Sequence, residues 1–119
     1  MNFTEEQHNM NTGEILLYQN LDGNIKIDVH LEQETFWFTQ AQIALLFGKG
    51  RTTITEHIGN VFSEGELEQN RNCRKFRLVQ KEGIREVERE VKHYNVEVII
   101  SVGYRVKSLQ GIQFRIWLN

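Results

Sequence analysis

The residues best suited to chemistry are short polar side chains and one arginine on the outward side of a predicted helix over residues 51–62. They are Arg51, Thr52, Thr55, Glu56 and Asn60. The apolar residues Ile54, Ile58 and Val61 recur at helical spacing and would face inward. A solvated helix face more often carries Glu/Lys pairs, whereas Arg, Thr and Asn side chains suit base edges and phosphates. The pattern therefore points to contacts with nucleic acid.

A second group of basic residues lies on the stretch CRKFRLVQ, which begins at Cys73 and reads as a strand. Its basic members are Arg74, Lys75 and Arg77, and Lys49 precedes the polar helix. Lysine and arginine at such places commonly hold backbone phosphates and so position a protein on DNA. A basic strand after a recognition helix is typical of the wing in a winged helix-turn-helix.

Two helices joined by a tight turn would position the polar face. The first, over residues 40–47, has its apolar residues Ile43, Ala44 and Phe47 on one face, and the Thr39 hydroxyl can cap it. Gly48 can adopt the positive φ that the turn needs, and Ala44 is small enough for a close helix crossing. A helix-turn-helix and an ordinary helical hairpin both fit this spacing.

The segments on either side of the helices predict strands and a further helix. EILLYQNLDGNIKIDVHL alternates in polarity around Asp22-Gly23-Asn24 and predicts a β-hairpin, while the aromatics of ETFWF should pack it onto the helices. Residues 84–94 fit a strand or a helix, and the strand is favoured because Lys81-Glu82-Gly83 can reverse the chain. A helix should begin after Asn95, and QGIQFRIWLN should form another helix or a final strand.

These elements predict an α+β fold, namely a winged helix-turn-helix-like domain with an N-terminal β-hairpin and a C-terminal helix. At 119 residues with 39% hydrophobic residues, the chain is long enough for one core. Residues 1–12 are polar and should be a flexible segment, and residues 13–119 should form the single domain.

The charge is divided along the chain, although the formal net charge is only −2. Residues 1–38 contain one Lys/Arg against seven Asp/Glu, whereas residues 39–119 contain thirteen Lys/Arg against nine Asp/Glu. Because a phosphate backbone responds to a local positive surface, the second part is the candidate for binding nucleic acid.

Catalytic and cofactor chemistry is not expected. The histidines at positions 8, 30, 57 and 93 have no recognised metal or nucleophile spacing, and the single cysteine, Cys73, cannot form an internal disulfide. The glycines do not form a phosphate loop. The sequence has no secretion signal and no long apolar run, so we expect a cytoplasmic protein that is not an enzyme and has no metal or cofactor.

Three motifs resemble the N-terminal region of the RhuM-like virulence proteins of bacteria. They are FTQAQIALLFG, the stretch HIGNVFSEGEL, and YNVEVIISVGYRVKSLQGIQFRIW, and the resemblance covers about residues 13–118. It implies a bacterial DNA-binding protein of a mobile or pathogenicity-island locus, with a role in transcription regulation. It also implies a distant similarity to phage antirepressor-type domains and a longer family architecture of which this chain is the N-terminal part.

Two hypotheses for function follow. In the first, the chain binds double-stranded DNA, as a monomer or a homodimer, with residues 51–62 reading the major groove and the basic strand holding phosphates. In the second, the same helices form a protein–protein interaction or oligomerisation module without DNA contact. A continuous basic surface around Arg51 would favour DNA, whereas neutralisation by Glu56, Glu64 and Glu66 beside an exposed apolar patch would favour a protein partner.

Overall fold

The computed structural model describes residues 14–106 and 108–118, and the predicted flexible segment 1–12 lies outside these residues. The described residues form five strands and five helices. In chain order they are β1 Glu14–Gln19, β2 Lys26–Glu32, β3 Thr35–Thr39, α1 Gln40–Phe47, α2 Arg51–Ser63, α3 Gln69–Asn72, β4 Cys73–Glu82, β5 Arg85–Asn95, α4 Val96–Val106 and α5 Leu109–Leu118. The predicted α+β class is confirmed.

The strands form one antiparallel sheet in the order β1-β2-β3-β5-β4. The predicted N-terminal hairpin is present as β1 and β2, and Gly23 in its turn has a φ of 77°. β3 lies in the centre and joins this hairpin to the β4–β5 hairpin through pairs such as Phe38 with Tyr94. The β4–β5 hairpin, which the sequence analysis predicted as a wing, is therefore one edge of a five-stranded sheet, and the winged helix-turn-helix prediction is not confirmed.

The main core lies between the helices and one face of the sheet. Alternating strand residues, including Leu16, Tyr18 and Phe38, are buried on this face, as the period of two along a strand requires. The Phe38 and Phe114 rings meet edge to face with centroids 5.3 Å apart. The Phe36 ring lies 5.3 Å from that of Trp117 in α5, so Phe36 and Phe38 pack the strands onto the helices as predicted. The prediction was wrong for Trp37, because alternation along β3 places its ring on the other face of the sheet, 5.7 Å from the Phe76 ring.

The helix pair has the predicted boundaries to within one residue. Thr39 forms a capping box with Gln42, in which the Gln42 N–H donates to the Thr39 hydroxyl at 3.1 Å and the Thr39 N–H donates to the Gln42 side chain at 2.9 Å. Gly48 ends α1 with a φ of 64°, and the Lys49 N–H donates to the Ala44 carbonyl at 3.0 Å. The predicted inward residues of α2 are all buried.

Two segments in the second half of the chain, residues 84–94 and QGIQFRIWLN, were predicted as either a strand or a helix. Residues 84–94 belong almost entirely to β5, so the strand reading is confirmed. The Asn95 side chain accepts a hydrogen bond from the Val98 N–H at 3.3 Å, at the predicted start of α4. The last segment is the helix α5, so two helices follow the sheet where the predicted fold has one.

Candidate nucleic-acid interface

The N-terminal turn of α2 is polar, exposed and uncapped. Gly50 occupies the N-cap position without a side-chain hydrogen bond to the helix, and the first turn contains no acidic residue. Arg51 and Thr52 are both exposed there. A positive charge at a helix N-terminus opposes the helix dipole, so Arg51 does not serve the stability of α2. The free N–H groups and the arginine together suit an anion such as a phosphate.

A polar contact fixes the start of α2 against α1. The Thr55 hydroxyl donates to the Arg51 carbonyl at 2.7 Å and accepts a hydrogen bond from the Gln40 side-chain amide. The same amide lies 3.4 Å from the Arg51 carbonyl oxygen. Thr55 is exposed, as predicted, but its hydroxyl already has partners inside the protein. These hydrogen bonds of Thr55 therefore help to fix the orientation of α2 relative to α1.

The hairpin formed by β4 and β5 brings a lysine pair to the same region. Lys75 and Lys92 are directly opposite each other in the strand register, both exposed, and neither forms an ion pair within residues 14–106 and 108–118. Lys92 lines a groove of about 340 Å³ together with Gln40 and Arg51. The hairpin and the start of α2 thus line one groove, to which Lys92 and Arg51 contribute the two cations.

The predicted basic residues of β4 do not share one side of the strand. Lys75 and Arg77 lie on one side, whereas Arg74 lies on the other, because successive side chains of a strand alternate. The Arg74 guanidinium is 3.3 Å from the Glu32 carboxylate and 4.9 Å from the centroid of the Phe76 ring. The Arg74 side chain therefore makes its contacts within the sheet. Arg77 stands opposite Glu90, which offsets part of its charge.

Two histidines lie beside Arg74 on the sheet face away from the main core. His30 and His93 have ring centroids 6.0 Å apart, and both pack against Phe76, at 4.2 and 4.9 Å. His93 donates from Nδ1 to the Val91 carbonyl at 2.9 Å, and the His30 Nε2 atom is buried without a hydrogen-bond partner in the described structure. This group is a second, smaller cluster of packed aromatic residues.

Burial lowers the pKa of both histidines. For His93 desolvation is the main cause; the bond to the Val91 carbonyl opposes it, and the nearby His30 adds to it. For His30 desolvation again leads, with Glu32 raising the pKa and Arg74 lowering it further. Both imidazoles therefore stay neutral as the pH falls towards the ordinary pKa of a histidine.

Two of the glutamates that could have neutralised Arg51 are engaged elsewhere. Glu64 and Glu66 hold the Arg105 guanidinium at 2.8 and 2.9 Å, at the far end of α2 from Arg51. Hydrogen bonds from Ser101 and Arg105 lower the pKa of Glu66. Of the three glutamates considered from the sequence, Glu56 alone lies within the outward face of α2, and it is exposed.

A patch of apolar side chains on α4 and α5 is also exposed. It comprises four residues of α4 and α5, which we call the α4–α5 patch: Tyr104, Leu109, Ile112 and Ile116, with exposed fractions between 49% and 66%. A groove of about 250 Å³, lined by Phe47 and Tyr104 among others, runs beside it. The exposed apolar patch named in the second hypothesis is therefore present, on helices other than the one that carries Arg51.

The remaining predicted site residues differ in exposure. Lys49 and Glu56 are exposed, whereas Asn60, expected on the outward side of α2, is half-buried. Lys92 was missed by the sequence reasoning. A signal for it existed, because a two-residue turn at Gly83 and Ile84 places Lys92 opposite Lys75 when the residues are counted back along both strands.

The described residues contain no group of three or more His, Cys, Asp or Glu side chains arranged to hold a metal ion. None of the helices in this part of the chain has the length and apolar character that crossing a membrane requires.

Residues 71–119, somewhat under half of the chain, match the Virulence protein RhuM family. The match spans β4, β5, α4 and α5, and it confirms the resemblance to RhuM-like proteins over that part. No curated protein matches the chain, and no solved structure does.

Proposed function

We propose that this RhuM-like domain binds duplex DNA, with α2 in the major groove and the nearby lysines of the β4–β5 hairpin on phosphates. The observation that carries the proposal is that Lys92 lines one groove with Arg51 and stands opposite a second lysine, Lys75, in the strand register. Like charges directly opposite each other destabilise a sheet. A bound polyanion would remove this cost and would also suit the uncapped start of α2.

The side chains divide by what they could contact. Arg51 and Thr52 begin α2, and the first residues of a recognition helix are the ones that reach base edges. Glu56 could accept a hydrogen bond from a cytosine amino group, and Asn60 lies further along the helix. Lys49, Lys75, Arg77 and Lys92 would hold phosphates and so set the register without reading sequence. In this role α1, α2 and the hairpin work as a winged helix-turn-helix within a five-stranded sheet.

The family match bears on the biological setting. The matched family is described as one of virulence proteins, which agrees with a bacterial protein of a mobile or pathogenicity-island locus. We expect a cytoplasmic transcription regulator without enzymatic activity or cofactor, acting as a monomer or a homodimer.

Gel-shift titrations at several salt concentrations test the proposal. The protein should bind mixed-sequence duplex DNA at low salt, with a log–log salt slope of about 0.9 per phosphate contact. On a site selected from random duplexes, Arg51→Ala should change sequence preference by about 1–3 kcal/mol, whereas Lys75→Ala should weaken all sequences alike. Folded protein that binds no duplex at low salt would refute DNA binding.

The α4–α5 patch supports a second candidate function, in which the domain binds a protein partner or a second copy of itself. Exposed apolar patches on soluble domains commonly mark such surfaces. Sedimentation at rising concentration tests this role, because the uncharged substitution Ile116→Gln should then reduce self-association while leaving DNA binding unchanged. A protein that is monomeric at all concentrations would exclude self-association and leave a different protein as the partner of this patch.

A further inference from the structure

The tip of the β4–β5 hairpin carries an unusual residue. The turn consists of Gly83 and Ile84, because Glu82 pairs with Arg85. Gly83 has a φ of 67°, the sign that a type II′ turn requires at its first central position. Turn positions favour Gly, Asn and Asp, yet the second residue here is isoleucine with its side chain fully exposed. Neither the turn nor the core explains an isoleucine at this point.

The hairpin carries this side chain well away from the rest of the sheet. β3 pairs with β5 only from His93 to Asn95, so the residues between Lys92 and the tip pair with β4 alone. The eight residue steps from Lys92 to Ile84 span about 27 Å at a strand rise of about 3.4 Å. Half a turn of B-DNA is about 17 Å along its axis. An arm that starts at phosphates beside α2 can therefore reach the neighbouring minor groove.

The residues around the tip suit the surface of DNA. Lys81 and Arg85 flank the turn, are exposed and form no ion pair among the described residues. Glu82 is neutralised by Arg89, whose guanidinium donates to it at 2.7 and 2.9 Å. Glu86 stands opposite Lys81 and leaves the turn only moderately basic. The tip thus combines one apolar side chain with cations on both sides.

We propose that Ile84 inserts between base pairs from the minor groove and bends the DNA that α2 contacts. The inference rests on the proposed DNA binding and adds an architectural role to it. Isoleucine is among the side chains that unstack a base step, and such wedges kink the duplex towards the major groove. Lys81 and Arg85 would hold the phosphates on either side of the opened step. A two-stranded arm supplies the reach without a change in the main core.

Ligase-catalysed cyclisation of short duplexes of about 150 base pairs tests bending without knowledge of the binding site. The wild-type chain should raise the cyclisation rate, and Ile84→Ser should reduce that increase by about fivefold or more. Ile84→Met should retain it, since methionine also serves as a wedge. Leu21→Ser is the matched control, because Leu21 is likewise a strongly exposed apolar side chain, at 85%, in the turn of the other hairpin.

Gel shifts on the same duplexes separate the two proposals. Binding without any rise in cyclisation would overturn the wedge and leave DNA binding intact, and so would equal rises for wild type and Ile84→Ser. A loss with Leu21→Ser as large as that with Ile84→Ser would also overturn it. If Ile84→Ser instead lowers the oligomeric state in sedimentation and leaves cyclisation unchanged, the tip contacts a second copy of the chain. Absence of all binding at low salt would overturn both proposals.

Discussion

Lys75 and Lys92 lie directly opposite each other on β4 and β5, two like charges at one cross-strand position. We predict that Lys92→Gln raises the free energy of unfolding by about 0.2–1 kcal/mol, because it removes their repulsion. The same change should lower the salt slope of DNA binding by about 0.9, the value for one phosphate contact. Urea denaturation and salt-dependent gel shifts measure the two effects.

Lys26→Gln is the matched control for this prediction, since Lys26 is an exposed lysine of β2 and its loss changes the net charge equally. It should leave both quantities nearly unchanged. Equal losses of DNA affinity for the two variants would show that only the overall charge matters and that the lysine pair has no special role.

The contact between Gln40 and Thr55 should couple α1 and α2. We predict that Thr55→Val lowers the free energy of unfolding by about 0.5–1.5 kcal/mol, because the Gln40 amide and the Arg51 carbonyl each lose a partner. Thr55→Ser keeps the hydroxyl and should retain most of the stability. A double-mutant cycle with Gln40→Ala, measured by urea denaturation, gives the coupling. Strictly additive effects would show that the contact contributes nothing.

Gly111 should be required by its neighbour Phe47. A Cβ atom at Gly111 would lie 2.8 Å from Cε1 of the Phe47 ring, and that ring is buried. We predict that Gly111→Ala destabilises the protein, because overpacking of about 1–3 kcal/mol exceeds the roughly 1 kcal/mol gain in helix propensity.

Gly59→Ala provides the control for Gly111→Ala, since Gly59 is also helical and a Cβ atom there would meet no other atom within 4 Å. It should stabilise the protein by about 0.5–1 kcal/mol. Thermal unfolding of the two variants should therefore shift in opposite directions, and a shared direction would contradict the packing described around Phe47.

Acid should weaken the fold through His30 and His93. Their pKa values are lowered in the folded protein, so below the ordinary pKa of about 6.5 the unfolded chain binds more protons. Stability should therefore be complete above about pH 7 and should fall as the pH drops through 6.5 towards the lowered values. The slope can reach about 1.4 kcal/mol per pH unit for each histidine.

Urea denaturation between pH 7.5 and 5.5 measures this dependence before the carboxylates titrate. His93→Gln should lower stability at pH 7.5 and flatten the profile, because the variant has one titrating ring fewer. A wild-type profile that is level over this range would contradict the effect of burial on the two rings.

Local signals were enough to predict much of the fold. The apolar spacing of α1 and α2, the capping residue Thr39 and the turn at Gly48 each act within a few residues, and the structure has them as predicted. The Lys81-Glu82-Gly83 stretch also sufficed to favour a strand for residues 84–94, although their helix propensity is high. Turn chemistry is read from the sequence because its physical cause is local.

Long-range relationships could not be predicted in this way. The pairing of β3 with β5 has no local signal, and it is this pairing that brings His93 close to His30. Strand alternation places Arg74 and Lys75 on opposite sides of β4, which could be predicted from the sequence. The ion pair between Arg74 and Glu32 could not. The candidate site was therefore predicted in its helix and only partly in its hairpin.

The three residue pairs between β3 and β5 also bear on the order in which the chain folds. Within the described part, they are the strand pairing that joins the N-terminal strands to the C-terminal hairpin, and they connect positions more than 50 residues apart in sequence. Each hairpin is local and can form in about 1–10 μs, whereas the distant pairs require closure of a long loop first. The rate-limiting step of folding is therefore expected to be the docking of these two preformed halves.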